Sequence, residues 1–190
     1  DYAEAHNNLG NAFKDLGQLD TAVKSYEQAL AIKPDFADAH YNLGVTLKEL
    51  GQLDAALKSY EQALAIKPDF AEAFNNLGSV LKELDQPDVA VKSYKKILVK
   101  KPDFAEAHNN LGITLQELGQ LDDAVKSYEQ ALVIKPDYAE AHNNLGITLK
   151  ELGQLDAALK SYEQTLAIKP DYADAHYNLG IVLKELGQLD

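Results

Sequence analysis

The chain has 190 residues, with 30 acidic side chains against 18 basic ones for a net charge of −12, and it contains no cysteine, methionine or tryptophan. Every basic residue is lysine, so the clustered cations that phosphate backbones and anionic bilayers require are missing, which excludes nucleic acid and membrane as partners. Without cysteine there is no disulfide framework or thiolate metal site, and no apolar run approaches the roughly 18 residues of a membrane span; a soluble, cytoplasmic protein is expected.

In chain order the dominant feature is repetition. Pro34, Pro68, Pro102, Pro136 and Pro170 stand 34 residues apart, as do Leu9, Leu43, Leu77, Leu111, Leu145 and Leu179. A fixed period of this length marks stacked supersecondary units that share one growing core. The units run 1–34, 35–68, 69–102, 103–136 and 137–170, followed by the first half of a sixth at 171–190. The chain starts in mid-pattern and without methionine, so it reads as a fragment of something longer.

In the second unit, Phe36, Ala39, His40, Leu43, Gly44, Leu47 and Leu50 fall on one face of a first helix, helix A. Asp35 is expected to cap it, with Asp38 as capping-box partner. Gly51 ends it in a left-handed turn, and Asp54 is expected to cap helix B, whose packed face is Leu53, Ala56, Leu57, Tyr60, Ala63 and Leu64. Lys67-Pro68 stops that helix. Glycine within a helix costs about 1 kcal/mol relative to alanine. Its return at Gly10, Gly44, Gly78, Gly112, Gly146 and Gly180 therefore predicts close helix contact, with Tyr26, Tyr60, Tyr94, Tyr128 or Tyr162 opposite. The third unit is irregular. Asp85 replaces the turn glycine, Pro87 replaces leucine just before the expected cap Asp88, and helix B carries Lys92, Lys95, Lys96, Lys100 and Lys101. A lysine row of this kind reads as a solvated face, with a docking patch as the alternative.

Helix-turn-helix units of 34 residues with Leu-Gly in helix A, Ala, Tyr and Ala in helix B and a terminal proline resemble tetratricopeptide repeats over the whole chain. The resemblance implies an all-α fold: a right-handed α-solenoid, or superhelix, of stacked antiparallel helix pairs, five whole units plus helix A of a sixth, with helices A lining a concave groove. One position departs from the family pattern. Where an aromatic is usual, this chain has His6, His40, His108, His142 and His176, and only Phe74 keeps the aromatic.

These histidines recur once per unit, on the order of 10 Å apart at ordinary helix packing distances, and none has a second histidine one turn away. They read as packing residues, and no metal or cofactor is expected. Ser25, Ser59, Ser93, Ser127 and Ser161 repeat within a KSY motif, which argues for scaffold and against a unique nucleophile. No catalytic residues are assigned.

Helix A has a second periodic face, expected to bind an extended peptide. Asn8, Asn42, Asn76, Asn110, Asn144 and Asn178 form a row of amides able to donate to and accept from a peptide backbone. Beside them lie Asn7, Tyr41, Asn75, Asn109, Asn143 and Tyr177, then the aliphatic Val45, Ile113 and Ile147. The competing reading is that the asparagines bond across to neighbouring units. The row also resembles the repeat region of O-linked N-acetylglucosamine transferases, which implies, as an alternative, a substrate-recruiting segment of a larger glycosyltransferase-like enzyme. The family's two-lysine clamp for acidic tails is disfavoured, because Glu4, Asp38, Glu72, Asn7 and Asn75 stand where lysines are needed. Neutral or basic protein segments are the expected partners. The final half-unit has no helix B to cover it, so a third reading is an array that stacks head to tail through uncapped ends.

Overall fold

A computed structural model of the chain describes residues 2–187. Position 1 and positions 188–190, which belong to the ends of the first and sixth units, lie outside the described residues. Eleven helices and no strand occur among the described residues: α1 (Tyr2–Asp15), α2 (Leu19–Ile32), α3 (Ala37–Glu49), α4 (Leu53–Ile66), α5 (Ala71–Leu84), α6 (Pro87–Lys100), α7 (Ala105–Glu117), α8 (Leu121–Ile134), α9 (Ala139–Glu151), α10 (Leu155–Ile168) and α11 (Ala173–Glu185). They fall into two compact bodies, Asp1–Val89 and Ala90–Asp190, which divide within α6.

In the first body α1 pairs with α2 and α3 with α4, α5 packs on α4, and helices A also touch their successors, α1 on α3 and α3 on α5. The second body repeats the plan with α7/α8, α9/α10 and α11. Each is a stack of helix pairs, the solenoid arrangement that the period predicts.

The glycine–tyrosine expectation holds at Gly10, Gly44, Gly112 and Gly146 but not at Gly180, which has nothing within 4 Å. Tyr26, Tyr60, Tyr128 and Tyr162 are fully buried, and a methyl group placed on Gly10, Gly44, Gly112 or Gly146 would come within 2.5–2.7 Å of the facing ring. No real side chain tolerates that contact, so the missing Cβ sets how closely helices A and B approach. Thr46, Thr114 and Thr148 are buried beside them, each hydroxyl donating to the carbonyl four residues back, of Asn42, Asn110 and Asn144.

The caps differ from the sequence expectation. The residues flanking α3 and α4 are Phe36 and Gln52, and neither makes a side-chain cap bond. Asp38 and Asp54 lie instead inside the first turn, where a carboxylate favours the helix through its dipole. Pro87 is itself the first residue of α6, where its missing N–H is harmless. Asp85 takes the left-handed conformation of the other turns, φ 49° and ψ 41°, against φ of 69–74° at the turn glycines.

Each linker between a helix B and the next helix A is fastened by a lysine–aromatic contact, and four of the five also by a histidine, the linker at Pro68 having Phe74 in its place. A lysine ammonium lies over the aromatic ring three residues on, at 4.4–5.2 Å from Lys33, Lys67, Lys101, Lys135 and Lys169. The histidine of helix A reaches back to the linker proline: Nε2 of His40, His108, His142 and His176 lies 2.8–3.0 Å from the carbonyls of Pro34, Pro102, Pro136 and Pro170. A carbonyl only accepts, so Nε2 carries the proton. The packing role expected of the histidines is thus a specific one, holding linker to helix.

Candidate functional site

The second face of helix A is built from residues one turn apart. In α3 it presents exposed Asp38, half-buried Tyr41, Asn42, Val45 and Lys48, and exposed Glu49. The repeat places the same register on each helix A, and within the bodies hydrogen bonds join α1 to α3, α3 to α5 and α7 to α9.

In the first body the Asn42 amide Nδ2 donates to Asn7 Oδ1 at 3.0 Å, and the Asn76 amide Nδ2 donates to the Tyr41 hydroxyl at 3.4 Å. In the second, Asn144 Nδ2 donates to Asn109 Oδ1 at 3.2 Å, while Asn109 Nδ2 lies 3.5 Å from Asn110 Oδ1. The accepting asparagines are closed off from water, Asn7 at 7% exposed and Asn109 at 1%, and the equivalent Asn143 is 4% exposed. Tyr41 is further wedged against Phe70 and Tyr60, with ring centroids 4.9 and 6.1 Å apart. The donating row is more open. Asn42, Asn76, Asn110, Asn144 and Asn178 are half-buried and Asn8 is exposed.

The site residues therefore separate by depth. Asn7, Asn109 and Asn143 lie in the seam between units, and the Asn143 carbonyl oxygen is buried without a hydrogen-bond partner. Asn75 is exposed, and Tyr177 is 71% exposed. Val45, Ile113 and Ile147 are half-buried one turn along from the asparagines.

A second rung, absent from the sequence expectations, lies a turn further on. Lys48 Nζ donates to Ser79 Oγ at 2.7 Å and pairs with Glu83 at 2.8 Å. The Lys48 hydrogen bond holds the Glu83 carboxyl below the usual carboxylate range. In the second body Gln116 Nε2 donates to Glu151 Oε1 at 2.8 Å, and Gln116 Oε1 accepts from the Tyr128 hydroxyl at 3.2 Å. Both rungs join residues 35 apart, one more than the period, and Lys48 also reaches Ser79 at a separation of 31.

Exposed carboxylates flank the face at Glu4, Asp38 and Glu72, and again at Glu140 and Asp174. Among the described residues no three histidine or acidic side chains come together as a metal site, and no helix is long and apolar enough to cross a membrane.

Family models described as TPR repeat match residues 10–51 and 46–85, and models described as Tetratricopeptide repeat match residues 103–171 and 161–190. The chain is a tetratricopeptide-repeat protein. Solved structures of similar fold include YrrB, described as a TPR protein with an unusual peptide-binding site, at 26% identity and TM-score 0.66, covering 90% of this chain and 89% of that one. A thermophilic TPR protein of Thermus thermophilus, TTC0263, is 25% identical with TM-score 0.57, over 96% and 99% of the two chains. MamA, at 24% identity and TM-score 0.67 over 90% and 94%, shares the fold. No curated protein matches the chain. The tetratricopeptide repeat mediates protein–protein interaction, and such arrays are generally non-catalytic scaffolds. The transferase resemblance rests on the wording of the asparagine row and of the KSYEQAL-like helix B.

Proposed function

We propose that this tetratricopeptide-repeat chain is a non-enzymatic scaffold that holds an extended, neutral or basic protein segment along the groove lined by its helices A. The observation that carries this reading is the half-buried asparagine row. In bridging to the preceding unit, Asn42, Asn76 and Asn144 each use one amide N–H. For Asn42 and Asn144 a second N–H and the amide oxygen are then left for a ligand, whereas Asn76 is also engaged by the Tyr60 side chain. Within each body, helices at ordinary packing distance recur about every 10 Å, close to three residues of extended chain, so a peptide backbone lying there meets successive asparagines in register. Val45, Ile113 and Ile147 supply apolar contact beside the row, and the flanking carboxylates favour cationic segments over acidic ones. The peptide-binding site ascribed to YrrB supports the reading.

Peptides selected from a random library against the chain should be poor in Asp and Glu. Asn110→Ala should weaken the selected peptides about tenfold, roughly 1.4 kcal/mol, with a smaller loss of melting temperature, because the bond between Asn110 and the Tyr94 side chain goes with it. Asn144→Ala should lower both binding and stability. Unchanged affinity in a folded Asn110→Ala variant would leave the asparagines a role in the stack alone.

One observation favours a second reading, end-to-end stacking of copies. Tyr177 of α11 stands open at the position where Tyr41 accepts from the following unit, an acceptor that the first helix of another copy would fill. Light-scattering mass rising with concentration is the expected result; a constant mass near one chain sinks this reading and leaves the groove untouched.

A further inference from the structure

α6 departs from the other B helices on its outward side. Its inward Ala90, Ser93 and Tyr94 are those of the repeat, and all three are buried. The outward stripe, at i, i+3, i+4, i+7 and i+8, reads Lys-Glu-Gln-Ala-Ile in α2, α4 and α10, and Lys-Glu-Gln-Val-Ile in α8. In α6 it reads Lys92, Lys95, Lys96, Val99 and Lys100, every one exposed, with Val99 at 79%. Replacing glutamate, glutamine and isoleucine by lysine places four cations on one side of a helix whose only carboxylate is Asp88, in a chain of net charge −12. From the neighbouring α8, Asp123 faces Lys95, and it is already shared with Lys126 at 2.8 Å. The stripe therefore keeps a strong positive excess around one open valine.

We infer that the outward stripe of α6 is a docking site for a short acidic segment of another protein, one whose carboxylates pair with Lys92, Lys95 and Lys100 while an apolar side chain covers Val99. Charge and extent choose the occupant. The stripe spans about 12 Å, eight residues at 1.5 Å each, which matches a few acidic residues. Beyond roughly 8 Å, the screening length at physiological salt, the surrounding negative charge of the chain takes over and disfavours a long nucleic acid or an anionic bilayer. No arginine is present to grip phosphates bidentately. This site is distinct from the helix A face and of opposite preference, so each can fail without the other.

The test uses the 190-residue chain and a fluorescein-labelled oligoglutamate peptide with a central leucine, read by anisotropy at low and physiological salt. Binding is expected, weakening as salt rises. The variant Lys95→Glu, Lys96→Gln and Lys100→Ile carries the residues of the sister helices and so should fold, as circular dichroism will verify. It is expected to lose at least about tenfold in affinity, while Lys24→Gln in α2 changes nothing. Val99→Ala should weaken binding severalfold. No binding by the wild-type chain overturns the site, as does equal binding by the triple variant. Tighter capture of oligothymidylate or of phosphatidylserine vesicles, lost in the same variant, overturns the acidic-segment assignment.

Discussion

Gly112 shows how one absent methyl group fixes the distance between two helices. Alanine is the better helix former by about 1 kcal/mol, yet its Cβ would sit 2.6 Å from Cε1 of Tyr128, a ring enclosed on all sides. Overpacking of this kind costs about 1–3 kcal/mol, so Gly112→Ala should lower stability by about 1–2 kcal/mol in urea denaturation. Gly180 has nothing within 4 Å of the same position. There the intrinsic preference acts alone, and Gly180→Ala should stabilise by up to about 1 kcal/mol. Opposite signs from one substitution at equivalent places separate packing from propensity. This contact was legible in the sequence, because a residue that weakens a helix returns once per unit, opposite a bulky one, where close approach demands it. The threonine back-bonds were not legible: Thr46 and Thr148 differ from exposed threonines only in where the helix turns them.

At the scale of elements, the turn at Asp85 is the exception to a rule of glycine. An L-residue strains in the left-handed region, and aspartate tolerates it better than most. Asp85→Gly should relieve that strain, offset in part by the greater freedom of glycine in the unfolded chain, for a net gain of about 0.5 kcal/mol measured by the denaturation midpoint. Helices and turns were well placed from the sequence, since period and punctuation are local signals. The caps were misplaced by one or two residues, because Phe36 and Gln52 hold the cap positions through backbone geometry without any side-chain bond. The partners of the asparagine row were harder to read for another reason. A 34-residue period aligns equivalent residues, whereas contacts between successive helices A run at a separation of 35, as in Asn7 with Asn42 and Gln116 with Glu151. That extra residue comes from the stagger of one helix on the next, which no single repeat encodes. Two adjacent asparagines, Asn109 and Asn110, consequently end at different depths, one in the seam and one on the face.

At the scale of the whole molecule, one buried tyrosine per unit couples the array to alkaline pH. Burial raises the phenols of Tyr26, Tyr60, Tyr128 and Tyr162, and pushes Tyr94 up to about 12 from an ordinary value of 10. The folded state favours the neutral phenol, so this stability is fully present below pH 10 and is lost as pH rises from 10 toward 12 and above. Phenolate absorbance should therefore lag behind that of free tyrosine and then rise together with loss of helical circular dichroism. Once the exposed Tyr2 and Tyr177 are replaced by phenylalanine, full phenolate formation at pH 10 with helicity intact would contradict the burial. The same array, acidic over most of its surface, carries its function on the faces of its repeats, and the central claim is that the asparagine row reads a peptide backbone. Competition binding with modified forms of a library-selected peptide tests this most directly. Methylating the backbone nitrogens at every third residue should weaken binding about tenfold or more, while shuffling the side chains at fixed composition should change it little. A peptide that tolerates N-methylation but loses its affinity on shuffling would contradict the account.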